Sequence, residues 1–325
     1  MSPNVAADME RRRDGGRKLV SVVVPAYNES DCVEELANRL QAVFDAHPHY
    51  EFEAIIVENG SVDDTWDKLL KINESDGRFR VLQLARNFRM DGGITAGLAH
   101  ARGDATVIMC ADLQDPPELI GRFIEKWEEG YENVYMVVTA RHGTGVLRRL
   151  NSRAFYWLLS KLTDKRIPKN ASDFRLVDRK VVEAVNSMEE RNRFVRGLFA
   201  WVGYRSIGVE HERPPRHGGE SKADTLKVVD LALKGIFAHS YTPLRLITVA
   251  GMALSALSVL AISVLALQFV AFGVPFPGFG SIVCLMLLLF GILFCMLGVV
   301  SEYVGLIYEE VKQRPNYVVR DRVGF

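Results

Sequence analysis

The sequence predicts an α/β chain: a mostly parallel sheet with helices on both faces, followed by a pair of long apolar helices. Three observations carry this. Short β-branched runs alternate with segments of helical periodicity from Leu19 to Cys110. Polar and acidic residues collect just past the ends of those runs. No Asp, Glu, Lys or Arg occurs between Leu246 and Ser301, although charges are dense on either side.

The elements follow in order. Leu19-Val20-Ser21-Val22-Val23-Val24 reads as a buried strand closed by Pro25. Val33, Leu36, Leu40, Val43 and Phe44 mark a helix over residues 30–46. A strand at 52–57, a helix at 63–74, a strand at 79–84, a helix at 92–102 and a strand at 105–110 complete the alternation. In sheets of this kind ligands bind outside the carboxyl ends of the strands. The segments to inspect are therefore Pro25-Ala26-Tyr27-Asn28-Glu29, the turn from Glu58 to Thr65, and the block from Ala111 to Ile120. Carboxylates at these ends suit a hard cation, Mg²⁺ or Mn²⁺, bridging a diphosphate.

Forty Lys and Arg balance forty Asp and Glu over 325 residues, so a basic nucleic-acid surface is not indicated. Neither a Walker loop nor a Gly-x-Gly-x-x-Gly turn is present, which sets aside ATPase and dinucleotide oxidoreductase readings. The four cysteines form no Cys-x-x-Cys pair and predict neither a disulfide framework nor a zinc site. Residues 1–17 read as a disordered basic leader, not a signal peptide, because Asp14-Gly15-Gly16 follows Arg11 to Arg13 in place of an apolar run.

The charge-free stretch is long enough for two membrane helices at ~20 residues each. Gly273-Val274-Pro275-Phe276-Pro277-Gly278 divides it into helices at about 245–271 and 279–301 within a 244–308 hairpin. Basic residues lie at both flanks and none in the turn, so the positive-inside rule places residues 18–224, both termini and the 309–325 tail in the cytoplasm. Residues 225–243 space Leu226, Val229, Leu233, Ile236 and Phe237 as an amphipathic helix, either in the membrane interface or packed on the soluble domain.

The ordered motifs resemble those of the family 2 glycosyltransferases with a GT-A fold, and within them the polyprenyl-phosphate glycosyltransferases. They are Pro25 to Glu29, the 58–65 turn, Arg86-Asn87-Phe88, Thr95-Ala96-Gly97, Arg102-Gly103-Asp104, Asp112 to Leu119, Ser172 to Leu176, Arg193 to Gly197, Gly219 to Lys222, the paired helices and Tyr308 to Lys312. The resemblance implies that Pro25, Tyr27, Glu29, Glu58, Arg86 and Asp112 bind the nucleotide-sugar. It also implies that Asp112 with Gln114 holds a divalent ion, that Asp173 and Asp112 are the catalytic acids, and that Arg213, Arg216, Ser221 and Lys222 grip the acceptor phosphate. The implied reaction is inverting transfer of a hexose-type sugar, from a donor of the UDP-glucose or GDP-mannose class, to undecaprenyl-type polyprenyl phosphate at the inner membrane. Its product is a lipid-linked donor for cell-envelope glycan modification. Oligomers through the membrane region are part of the same expectation.

Bland roles stand beside these. Asp112 could cap its turn, Asp173 could cap a turn or pair with Arg175, and residues 213–222 could be a solvated loop. The chain also departs from the family pattern, with Asn59 and Cys110 where acids are usual and Arg89-Met90-Asp91 where small and basic residues are usual. Those departures motivate the alternative of a non-catalytic membrane-bound nucleotide-sugar sensor or assembly partner. A processive synthase would need more membrane helices than the two expected.

Overall fold

The computed structural model describes residues 16–139, 171–212, 242–272 and 278–325. The leader up to residue 15, the acceptor-loop residues Arg213, Arg216, Ser221 and Lys222, the expected amphipathic helix up to residue 241 and most of the Gly/Pro turn lie outside the described residues. The chain divides into two compact units, one holding the sheet and the C-terminal residues from Arg314, the other the two long helices.

The first unit is built on an eight-stranded sheet of order β7-β5-β6-β4-β1-β2-β3-β8. Its strands are β1 (Lys18–Ala26), β2 (Tyr50–Glu58), β3 (Phe79–Leu84), β4 (Ala105–Ile108), β5 (Asn133–Val138), β6 (Ala171–Asp178), β7 (Ser206–His211) and β8 (Val319–Val323). Strands β4, β1, β2 and β3 run parallel, as the sequence predicts. Strand β6 is antiparallel to both β4 and β5, and β5 is parallel to β7. Strand β8, read from sequence as part of a tail, pairs antiparallel with β3. Its three central charges, Arg320, Asp321 and Arg322, suit an outermost strand, which must discourage pairing with other chains.

The β-branched runs are explained by cover on both faces. On one face Val20, Val22 and Val24 pack with α1 (Val33–Ala46), α2 (Thr65–Ser75) and α4 (Leu119–Glu128). On the other, Val23, Ile55 and Leu82 pack against Ala96 of α3 (Arg89–His100). Gly97 is required there, because a Cβ would overlap the Val23 side chain. The outer face of α3 contributes Ile94 and Leu98 to a cluster with α5 (Arg179–Asn186) and α6 (Val195–Trp201). Helix α3 is thus held between the sheet and α6.

Beneath the sheet edge, Glu53 is 2% exposed. It accepts from Ser21 Oγ at 2.6 Å and from the Arg102 backbone N–H at 3.0 Å, and it pairs with Arg80 at 2.9 Å. Removing one partner of such a network leaves buried groups uncompensated. Glu53→Ala is expected to cost about 3–5 kcal/mol, measured as a drop in the denaturation midpoint.

The second unit comprises α7 (Thr242–Phe272) and α8 (Phe279–Val311). Helices occupy both apolar segments, and the second continues to Val311. Among the described residues one segment, Leu288–Val311, is long and apolar enough to cross a membrane by length and composition.

Candidate active site

Four parallel strands deliver their carboxyl ends to one cavity of about 290 Å³. Its walls are Pro25 and Ala26 at the end of β1 with Tyr27 and Glu29 just after it, Asn59 after β2, Asn87, Arg89 and Met90 after β3, and Cys110, Ala111 and Asp112 after β4. This is where ligands are expected to bind in a sheet of this kind. Of the residues assigned to the donor from sequence, Pro25, Tyr27, Glu29 and Asp112 line the cavity, and Glu58 and Arg86 do not.

Glu58 is 1% exposed and accepts from the Ser61 N–H, so it shapes the turn after β2. That turn is zipped to the loop carrying Tyr27 and Glu29. Asn28 Oδ1 accepts from Val62 N–H at 2.9 Å, Ser61 Oγ accepts from Asn28 N–H at 3.0 Å, and Thr65 Oγ1 accepts from Glu29 N–H at 3.0 Å. Asp63 completes the zip by accepting from Ser30 N–H and from Thr65. Burial pushes its carboxyl up, but the hydrogen bonds from Thr65 and Ser30 outweigh this and hold it below the usual carboxylate range. Gly60 sits at φ 74° with a Cβ position 2.5 Å from the Arg86 carbonyl carbon, which only glycine tolerates. The acidic turn is thus the scaffold of the loop that carries Tyr27 and Glu29. Arg86 is exposed and stacks on Phe88, 4.1 Å from the ring centroid.

Asn59, where the family pattern has an acid, has a structural reason. Its Oδ1 accepts from Phe88 N–H at 2.9 Å while its Nδ2 donates to the Arg89 carbonyl at 2.8 Å. A carboxylate could make the first bond and not the second. The amide pins residues 88 and 89, with Arg89 at φ 63° in the left-handed region. Leu113 at φ 58° and Asn28 at φ 54° share that region. Three of the four described non-glycine residues at positive φ thus lie in the cavity loops, the fourth being Gln313 after the second long helix.

Asp112 caps its turn and also lines the cavity. Its Oδ1 accepts from Gln114 N–H at 3.2 Å, an Asx turn, and its carboxyl is part of the cavity wall. Gln114 lies off that wall. The fully buried Asp115 supports the block from below by accepting from Cys110 N–H at 3.1 Å. Burial pushes the neighbouring Cys32 thiol up, and the charges of Glu29 and Asp112 add to this, so two wall carboxylates share one field. Among the described residues, no three His, Cys, Asp or Glu side chains are grouped to cage a metal ion. One or two carboxylates plus substrate phosphates is nevertheless how Mg²⁺ is commonly held. Asp112 and Glu29 fit an ion shared with a diphosphate, whereas the Cys110 thiol is a poor partner for a hard cation.

Asp173 lies on β6. The β4–β6 pairing ends with Ile108 opposite Arg175, two residues short of Asp173, and Asp173 is not among the residues that line the cavity. Its carboxylate pairs with Arg196 of α6, while Arg175 Nε donates to its backbone carbonyl at 3.4 Å. Arg196 Nε donates to Oδ1 at 2.8 Å and Nη2 donates to Oδ2 at 2.5 Å, a two-pronged grip that fixes the carboxylate plane. Arg175 is buried, holds the Ser172 carbonyl at 3.0 Å and stacks over Phe199. Desolvation lowers its pKa to about 10. Sequence reasoning gave Asn87, Arg89 and Met90 no place in the site, and noted Asn59 and Cys110 only as departures from the family pattern. It quoted the Arg193 to Gly197 motif without giving Arg196 a role.

A sheet of this order, with its cavity across the carboxyl ends of parallel strands, defines a GT-A-like α/β domain. Comparison with known proteins adds the family. The glycosyl transferase family 2 profile matches residues 21–185. A glycosyltransferase of Synechocystis sp., described as uncharacterized, is 41% identical over 305 residues, covering 94% of this chain and 96% of the relative. The bactoprenol glucosyl transferase of Shigella phage SfX is 36% identical, with 93% and 99% covered. A solved glucosyl-3-phosphoglycerate synthase from Mycobacterium tuberculosis superimposes with a TM-score of 0.46 at 19% identity, covering 70% of this chain and 83% of that one. The chain belongs to glycosyl transferase family 2 and is a glycosyltransferase.

Proposed function

We propose that the protein transfers a hexose-type sugar from a nucleotide-sugar of the UDP-glucose or GDP-mannose class to a polyprenyl phosphate at the cytoplasmic face of a membrane. The observation that carries this reading is the acid-walled cavity at the strand ends, set in a chain that matches a bactoprenol glucosyl transferase over 93% of its length. The apolar segment Leu288–Val311 supports a lipid-embedded acceptor.

In this reading Tyr27 and Pro25 flank the base, and Asn59 and Arg89 hold the wall that faces the donor. A divalent cation held by Asp112, with Glu29 nearby, would supply positive charge against the departing diphosphate. The acceptor phosphate monoester is largely ionised near neutral pH, with a second pKa of about 6. Little base catalysis is therefore needed, and Asp173 serves chiefly to orient the acceptor in the grip of Arg196. Arg213, Arg216, Ser221 and Lys222 remain the proposed phosphate grip.

The test is release of nucleoside diphosphate by the full-length protein in detergent with Mn²⁺. Release from one donor that depends on added short-chain polyprenyl phosphate is expected. Equal release without the lipid would exclude the acceptor assignment. Cys110→Asp separates the enzyme from a sensor with a degraded metal site. Turnover close to wild type is expected, because the ion is held through Asp112 and the diphosphate; a large gain in metal-dependent turnover would mark a degraded site.

A further inference from the structure

Asp91 departs from the family pattern at the first turn of α3, and its contacts point away from the donor cavity. Its Oδ1 accepts from the Val195 N–H at 2.9 Å, across 104 residues of sequence. Val195 is the first residue of α6, and Arg196 is the next. Arg196 in turn grips both oxygens of Asp173. The bond lies at the end of an apolar seam in which Ile94 and Leu98 of α3 meet Val195, Leu198 and Phe199 of α6, with Met90 packed against them. Met90 and Arg89, immediately before Asp91, form part of the donor-cavity wall, and Asn59 pins the Arg89 carbonyl. Burial raises the Asp91 carboxyl pKa, the Val195 bond opposes this, and the nearby Asp173 charge adds to the rise. A carboxyl in so costly a position is kept where its hydrogen bond does something a neutral small residue could not.

We infer that Asp91 is a positioning residue for Asp173, fixing the start of α6 and hence Arg196 relative to the donor-cavity wall. The inference rests on the sugar-transfer reading above. The chain of contacts is short: cavity wall 89–90, Asp91, Val195, Arg196, Asp173. Each link is a hydrogen bond or a covalent neighbour, so a small displacement of α6 passes directly to the carboxylate plane. Misplacing a reacting group by about 1 Å can cost on the order of 100-fold in rate.

The experiment compares Asp91→Ala, Asp91→Asn and Val195→Pro in the full-length protein. Asp91→Ala removes the acceptor. Asp91→Asn keeps Oδ1 and loses only the charge. Val195→Pro removes the donor at a first helical position, where proline is tolerated. Asp91→Ala and Val195→Pro are each expected to lower kcat by about 10–100-fold with donor KM little changed, the double variant being no worse than either single one. Asp91→Asn is expected to stay close to wild type. A wild-type kcat in Asp91→Ala, or Asp91→Asn as impaired as Asp91→Ala, would overturn the inference. Amide hydrogen exchange over residues 196–199 supplies a readout that needs no catalysis. It should quicken in Asp91→Ala and not in Asp91→Asn, and equal protection in all three proteins would overturn the inference. Wild-type protein inactive on every donor, with this exchange pattern intact, would instead count against the proposed function alone.

Discussion

Asp112→Asn is expected to lower sugar transfer by about 1,000-fold, the scale of losing a charge-stabilising group aimed at the leaving group. The substitution is chosen because it separates the two roles of the residue. Asparagine retains a side-chain oxygen for the Gln114 N–H, so the Asx turn after β4 survives. Leu113 stays in its left-handed conformation, and Asp115 continues to hold the Cys110 N–H. What disappears is the negative charge on the cavity wall. Steady-state transfer at saturating Mn²⁺ should fall while the melting temperature barely moves. Asp112→Ala should show the same loss of activity plus a measurable loss of stability. If Asp112→Asn kept most of its activity, the residue would be a turn cap, and the diphosphate would have to be neutralised elsewhere.

Asp173→Asn is expected to have the second-largest effect, about 100-fold in kcat. The carboxylate is held by two nitrogens of the Arg196 guanidinium. An amide can accept from one of those nitrogens and must turn its own NH₂ toward the other, so the plane is lost along with the charge. Arg196→Ala should give a similar defect, because it frees the carboxylate without removing it. The two side chains are each 29% exposed, so neither change should unfold the protein. Acting as one unit, the pair should be strongly non-additive: the double variant should resemble Asp173→Asn alone. Additive losses would show that Arg196 contributes separately, for instance by meeting the acceptor phosphate itself.

The half of the sheet from β1 to β4 was legible because its strands are buried on both faces. They carry short apolar runs rich in Val, Ile and Leu, and polar turns mark their ends. Strands β5, β6 and β7 were not read. Val134 to Val138 has the right composition, but β6 carries Asp173 and Arg175, whose presence reflects the site rather than the strand. Strand β8 is the harder case. It lies beyond the apolar helices, three of its five residues are charged, and its partner β3 is remote in sequence. Only tertiary pairing makes it a strand. Position at or just past a strand end found Pro25, Tyr27, Glu29 and Asp112 on the cavity wall, whereas Glu58, at the last position of its strand, turns inward to the Ser61 N–H and lies off that wall. Contacts such as Asp91 with Val195 and Asp173 with Arg196 were invisible because no sequence period links α3, β6 and α6. The chemistry of each residue was readable; its partner was not.

The departures from the family pattern take on a different meaning with the geometry in view. Asn59 makes a donor–acceptor pair of bonds that aspartate could not, and Asp91 anchors a helix. Asn59 lines the cavity, and Asp91 directly follows the wall residue Met90. They argue for an adapted site rather than a lapsed one.

The measurement that tests the central claim most directly is transfer of radiolabel into the organic phase. Full-length protein would be incubated with short-chain polyprenyl phosphate, Mn²⁺ and, in turn, radiolabelled UDP- and GDP-sugars, with Asp112→Asn in parallel. Label in the lipid extract from one donor, lost with Asp112→Asn, is the predicted result. Label that stays in the aqueous phase for every donor, or reaches the lipid equally with Asp112→Asn, would contradict it.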